Sequence, residues 1–438
     1  MANRGRVMPF ETQAAPRRIA VVGAGISGLG AAHFLAGSNS VTVYEAEPRL
    51  GGHARTVLAG RRGDQPVDTG FIVFNRPNYP LVSRLFENLG VESAPSNMSF
   101  GVSLGGGRFE YGLRDARTVL AQPSNLVRPS FFRMVRDIFR FNAGALGAAN
   151  DPRMTVRELL DRMGLGLWFR ERYLLPFSGA IWSTPCHAVL DFPAQALVRF
   201  FSNHGILNYS GQHQWLTLRG GSVEYVSRLG QRLRTRAVDV RTGATVAGVR
   251  RRQGGVDVRA FGGDWEPYDE VVFATHADDT LRMLVDATGV ERTALGAIRY
   301  QPNEALLHAD ASLMPRRRRV WSSWNYVEGP HGRSDRIDLT YWMNSLQPIP
   351  HDDPMFVTLN AKQDVRDDLV YDATTFRHPV FDLHALAAQE AVRAMNGSNH
   401  TWFCGAWTRN GFHEDGLASA AEVAGQLANA EAAVIAAE

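Results

Sequence analysis

Lysine is nearly missing from this chain. Lys362 is the only one among 438 residues, so 46 of the 47 basic side chains are arginine. Any chemistry that needs a primary amine therefore has a single candidate. Cysteine is almost as scarce. Cys186 and Cys404 alone cannot build a disulfide framework or a thiolate zinc site, and a reducing, cytoplasmic setting fits them best. A strong charge of one sign is missing too: 44 acidic residues leave a net charge of +3, no footprint for a nucleic-acid partner. No apolar run reads as membrane-spanning. Ile19 to Ala36 is interrupted by four glycines, a serine and a histidine, and the alanine-rich end from Leu417 by Glu422, Gln426, Asn429 and Glu431. Met1 to Arg18 is polar and lacks the apolar core of a secretory leader. What is present, 45% hydrophobic and 21% charged residues, predicts an ordinary globular chain of two or three domains.

The most informative stretch is RRIAVVGAGISGLGAAHFLAGSNSVTVYE, residues 17 to 45. Ile19 to Val22 suits a buried parallel strand, and Gly23, Gly25 and Gly28 form G-x-G-x-x-G. The first glycine permits a tight turn, the second lets backbone approach a pyrophosphate, and the third allows close helix–strand packing. The following helix directs its N-terminal N–H groups, Ser27 among them, at the phosphates. Val41 to Tyr44 is the second strand, and Glu45 at its end can accept from ribose hydroxyls. An acid there disfavours a 2′-phosphate, leaving FAD or NAD.

Arg49-Leu50-Gly51-Gly52-His53 follows, then Val67-Asp68-Thr69-Gly70-Phe71. This E-x-x-x-R-x-G-G run with a D-x-G segment resembles the flavin-containing amine oxidase superfamily. The resemblance implies non-covalent FAD, with Ala46, Arg49, Gly51, Gly52, His53, Thr69, Gly70 and Phe71 lining it. His53 stands where the family usually has arginine. YDEVVFAT, Tyr268 to Thr275, resembles the strand that returns to the nucleotide sheet, and by family Val246 or Val249 touches the adenine. FCGAW and GFHEDGLASA, from Phe403 and Gly411, resemble the closing strand, loop and helix. They imply contacts from Gly405, Glu414, Asp415, Gly416 and Leu417, with Ala406 replacing the family's acid.

The implied fold class is α/β: a discontinuous Rossmann-type FAD-binding domain with a mixed α+β substrate domain. The nucleotide domain takes 17–77, 218–288 and 396–438, the substrate domain 78–217 and 289–395, and 1–16 is a disordered tail. VDTGFIVFN, MSFGV, AIWSTP, NHGIL, SSWNY and GFHEDG are similar to a bacterial subgroup linked with cyclopropane-fatty-acid-synthase-like lipid methyltransferases. That resemblance implies desaturation of a lipid acyl chain by hydride transfer to flavin N5. An amine oxidase acting on a C–N bond is the alternative, and a flavoprotein partner of a lipid methyltransferase is another. The strand Pro302 to His308 contains no lysine, where true amine oxidases commonly hold one. Candidate proton acceptors are Glu304, His308 and His413; Trp182, Trp324, Asn325 and Tyr326 are candidate substrate contacts. The histidines and acids show no metal-ligand spacing, so no metal is expected. Arg316 to Arg319, between Met314 and Trp321, reads as a foothold for peripheral contact with the inner membrane face.

Overall fold

The protein is described here by a computed structural model covering residues 16–208, 213–329 and 335–437. The expected N-terminal tail, 1–16, lies outside the described residues except for Pro16.

Arg18–Val22 buries four of its five residues and becomes the centre of a five-stranded parallel sheet. Ser40–Tyr44 and then Asp239–Arg241 lie on one side; Glu270–Phe273 and then Thr401–Phe403 lie on the other. The sheet therefore draws on three distant parts of the sequence. Apolar strands buried on both faces need helices on both faces, and the helix Ile26–Leu35 covers one of them. It is built from small residues, and glycine sets its packing distance. A Cβ on Gly28 would lie 1.8 Å from the Gly23 carbonyl oxygen, and one on Gly416 would lie 2.9 Å from Ile26 Cγ2. The first and last helices of the chain thus meet at glycines.

The alternating segment after Arg241 forms the antiparallel ribbon Val246–Arg252, Gly255–Ala260 and Glu266–Tyr268. A second, seven-stranded mixed sheet runs Val370–Pro379, Tyr300–His308, Phe356–Leu359, Leu339–Trp342, Trp324–Val327, Phe100–Leu104 and Phe109–Gly112. Its two last strands come from the 78–217 part of the substrate domain, and Trp324–Val327, from the 289–395 part, pairs with Phe100–Leu104 in parallel. Helices Pro129–Ala148, Val156–Arg162, Leu175–Trp182 and Ala194–Asn203 pack beside this sheet around one aromatic core.

One buried carboxylate knits the parts together. Asp68 accepts from the Ser222 N–H and hydroxyl at 2.8 and 2.7 Å, from Thr56 Oγ1 at 2.6 Å and from Gln347 Nε2 at 2.9 Å. No helix among the described residues is long and apolar enough to cross a membrane. The four-arginine run is not arranged as the sequence suggested. Met314 and Trp321 are buried, Arg317 pairs with the fully buried Glu110 at 2.7 Å, and Arg318 lies 3.7 Å from the Trp321 ring. Its apolar flanks belong to the interior.

Candidate functional site

Two glycine turns face each other at the carboxyl end of the parallel sheet. The Gly51 N–H donates to the Ala24 carbonyl at 2.8 Å, and a Cβ on Gly52 would come within 3.1 Å of Gly25 Cα. Gly51 adopts φ +111°, a backbone state that L side chains avoid. Arg49 clamps the turn from behind, donating to the carbonyls of Gly52 at 2.8 Å and Ala54 at 3.1 Å. Glu45 accepts from the N–H of Ala24 at 2.7 Å and of Glu47 at 2.9 Å, one on each oxygen. Each oxygen keeps a lone pair for a hydroxyl donor. A Cβ on Gly25 would meet nothing within 4 Å. The helix N-terminus therefore opens onto free space of the kind a pyrophosphate needs, and the cradle fits a dinucleotide. Gly70 explains itself by crowding: a Cβ there would lie 2.0 Å from the His53 carbonyl oxygen.

Below the cradle, four imidazoles gather from four separate segments. The His53 ring lies 5.7 Å from His276 and 5.6 Å from His378, both stacked. His413, at the start of the closing helix, stacks on Phe71 at 3.8 Å and shares a 2.9 Å hydrogen bond with the Tyr225 hydroxyl. Burial pushes all four rings down, His53 to about 4, His276 to about 2, and His378 and His413 to about 3. They are neutral acceptors or donors at neutral pH. Asn303 orders one of them. Its Oδ1 accepts from Asn360 at 2.8 Å, so its Nδ2 donates, to the Ser183 carbonyl at 3.1 Å and to His378 Nδ1 at 2.9 Å. His378 is thereby held with its proton on Nε2.

The neighbouring wall is aromatic. Trp182 packs 4.9 Å from Phe200, which stacks 4.9 Å from Phe412 in the closing loop. Trp324 meets Tyr341 edge to face at 5.2 Å, and its buried Nε1–H has no partner. Tyr341 bonds to Ser183, next to Trp182. The left-handed Ser183 thus ties together Tyr341, Trp182 and the Asn303–His378 pair.

The other residues named from sequence have these places in the fold. Along Tyr300–His308, Tyr300 stacks on His276 at 4.3 Å, while His308 lies about 27 Å further along an extended strand. Both His308 nitrogens are used there, one with Thr358 Oγ1 at 2.7 Å and one with the Asp310 N–H at 3.1 Å. Glu304 is exposed because alternation turns it away from the buried Asn303. Asn325 folds back on Ser322 and Thr340, and Tyr326 is buried with its hydroxyl 3.6 Å from Cys186 Sγ. Both Glu414 oxygens accept from the N–H groups of Leu81 and Val82 at 2.9 Å, and Asp415 caps its own turn at Phe412. Ala46 is exposed, Val246 and Val249 are buried in the ribbon, and Gly405 donates to Ser419 at 2.9 Å. Ser27 and Leu417 are buried where the first and last helices pack, and Thr69 donates to the Arg55 carbonyl at 3.3 Å. His276, Asp278 and Asp279 bring possible ligand atoms within 4.8 Å, but Arg377 and Arg282 bridge the two carboxylates.

Sequence reasoning missed His276, His378, Phe412, Tyr225 and Asn303. His276 carried a signal, since it lies just past the carboxyl end of the strand Glu270–Phe273, where ligands of open α/β sheets bind. His378 and Asn303 carried none.

Comparison with known proteins adds four findings. The flavin-containing amine oxidoreductase profile matches residues 26–309. An L-amino-acid oxidase of Sistrurus catenatus edwardsii is 57% identical over 42 residues, which is 9% of this chain and 8% of that one. The CLA-producing fatty acid isomerase of P. acnes superposes with a TM-score of 0.65 at 15% identity, covering 95% of this chain and 99% of the isomerase. Putrescine oxidase bound to putrescine gives 0.66 at 15%, covering 94% and 99%. At such identities the two structures are similar in fold.

Proposed function

Because the chain belongs to the flavin-containing amine oxidoreductase family and is an FAD-dependent oxidoreductase, we propose that it dehydrogenates an apolar acyl chain rather than an amine. The observation that carries this reading is the chemistry of the wall. Trp182, Phe200 and Phe412 pack in one row, and Trp324 packs on Tyr341, which shares Ser183 with the Asn303–His378 pair. Glu414 and Asp415, which follow His413 in the closing helix, are bonded to backbone N–H groups. An ammonium set among these rings and amides would give up its water at a desolvation cost of several kcal/mol. Each buried methylene instead gains about 0.8 kcal/mol. The fold similarity to a fatty acid isomerase supports the same direction.

Non-covalently bound FAD supplies a two-electron acceptor. The chain's own part is to place the substrate and take a proton. Ser183 and Asn303 hold His378 in one tautomer, and Tyr225 and Phe71 hold the His413 ring. His378 already accepts from Asn303 at Nδ1, so His413 is the neutral imidazole offered to the proton that leaves the second carbon. The lone lysine does not favour the amine reading, for Lys362 is exposed beside Asp338.

The test is anaerobic mixing of the holoenzyme with acyl lipids and, separately, with primary amines and polyamines, while flavin absorbance is followed. Bleaching by a lipid, with loss of two hydrogens from that lipid by mass spectrometry, is the expected result. Bleaching by amines alone would overturn it.

A further inference from the structure

A cleft of about 240 Å³ opens where the strand Ser93–Ser96 pairs with Trp215–Leu218, outside the imidazole cluster and the glycine turns. Ser96, Asn97, Met98, His213, Gln214 and Trp215 line it. Gln214 Nε2 donates to the carbonyls of Ser96 at 3.1 Å and Trp215 at 2.7 Å, so its Oε1 is left as an acceptor. Together with the exposed Asn97 amide and the His213 ring it makes the rim polar. None of the six lining residues is an acid, an arginine or a lysine.

Two aromatic walls lead from this cleft and meet at Trp182 and Phe200. On one side the Trp215 ring stacks on His204 at 6.2 Å, His204 on Phe200 at 3.8 Å, and Phe200 on Phe412, the residue before His413, at 4.9 Å. On the other side the Trp324 N–H donates to the carbonyl of Ser99, next to Met98, at 3.0 Å. Trp324 packs on Tyr341, Tyr341 bonds to Ser183, and the adjacent Trp182 lies 4.9 Å from Phe200. Trp182, His204, Trp215, Trp324, Tyr341 and Phe412 each pack on another ring and yet stay half-buried. Rings that fill a close-packed core bury every face, so these six keep a face toward open space. A polar mouth continued by aromatic walls suits a molecule with a compact polar head and a long apolar tail.

We infer that the cleft is the head-group subsite for a neutral acyl ester of the monoacylglycerol kind, whose tail runs between the two walls toward His413. This rests on the acyl-chain reading and names the substrate class within it. A charged head meets no fixed counter-charge among the lining residues, whereas ester and hydroxyl groups meet amides. The buried Trp324 Nε1–H, which has no partner within the protein, is a donor that an ester carbonyl would satisfy.

The experiment titrates the holoenzyme with monolauroylglycerol and with lauric acid, both below their aggregation concentrations. Asn97→Cys carrying an environment-sensitive dye reports occupancy without turnover, since Cys186 and Cys404 are buried. Its emission should shift to the blue with the ester and need about tenfold more of the acid for the same shift. In the labelled protein Met98→Trp, which fills the mouth, should raise the half-saturating ester concentration about tenfold or more. Trp324→Phe, which keeps a ring and removes the N–H, should raise it about fivefold. Both variants should keep the parent's flavin spectrum, and the limiting rate of anaerobic bleaching by the ester should stay within about twofold in Met98→Trp. A dye that ignores the ester, an acid that binds as tightly, or a Met98→Trp variant that saturates like the parent would overturn the subsite, even where acyl lipids bleach the flavin. A blue shift that Met98→Trp weakens, with no bleaching by any acyl lipid, would uphold the subsite and sink the acyl-chain reading.

Discussion

Gly25 and Gly28 look alike in the sequence and are kept small for different reasons. A methyl on Gly28 runs into the Gly23 carbonyl at 1.8 Å, whereas one on Gly25 enters empty space at a helix N-terminus. Gly28→Ala should therefore damage the protein itself, by about 1–3 kcal/mol of overpacking, visible as a lower melting temperature with or without flavin. Gly25→Ala should leave the melting temperature of the flavin-free protein unchanged and weaken FAD binding about tenfold or more, about 1.4 kcal/mol by titration. Equal losses of stability in both variants would contradict the assignment. This distinction was half legible: the spacing names both glycines, but only the packing says which one leaves room for a ligand. His308 shows the limit from the other side. It lies on the same strand as Asn303, and extended geometry carries it to the far end.

Among the elements, the helix Pro80–Asn88 depends on a residue more than 300 positions away. It has no acid in its own first turn and no side-chain cap. Glu414, from the closing helix, accepts from the N–H groups of Leu81 and Val82 instead. A carboxylate there satisfies two orphan donors and meets the positive end of the helix dipole. Glu414→Ala should cost about 1–2 kcal/mol in denaturant unfolding. Glu414→Gln, which keeps the acceptor and loses the charge, should recover part of that. If Glu414→Ala instead leaves unfolding untouched and shifts only the flavin, the carboxylate serves the cofactor as the sequence suggested. The cap could not be foreseen, because both ends look complete when each is read alone.

At the scale of the whole molecule, the imidazole cluster is the feature that folding creates. His53, His276, His378 and His413 come from four segments, and burial, aided by Arg49 and Arg377 at His53, holds all four well below the usual 6.5. The consequence for acid stability has a definite sign. The unfolded chain takes up protons below pH 6.5 while the folded one does not, so stability is full above that pH and falls beneath it, down to about pH 4 for His53 and to about 3 or 2 for the other three. Each ring contributes about 1 kcal/mol per pH unit, so flavin-free protein should lose on the order of 4 kcal/mol between pH 6.5 and 5.5. Thermal unfolding across that range checks it, and a flat profile would mean the rings are hydrated in the folded state.

The first forty-five residues carry their own meaning, because a strand, a glycine turn, a helix and an acid can make a dinucleotide cradle from neighbours in the chain. The apolar alternation after Arg241 is equally local and announces an antiparallel ribbon. The pocket is different. Its wall is assembled by contacts between residues separated by 75 positions, as in Asn303 and His378, or by 188, as in Tyr225 and His413. Local pattern can determine an element, since backbone hydrogen bonds and hydrophobic period act over a few residues. Which side chains then share one buried space is decided only when the sheets close, because burial and its electrostatic effects belong to the packed whole.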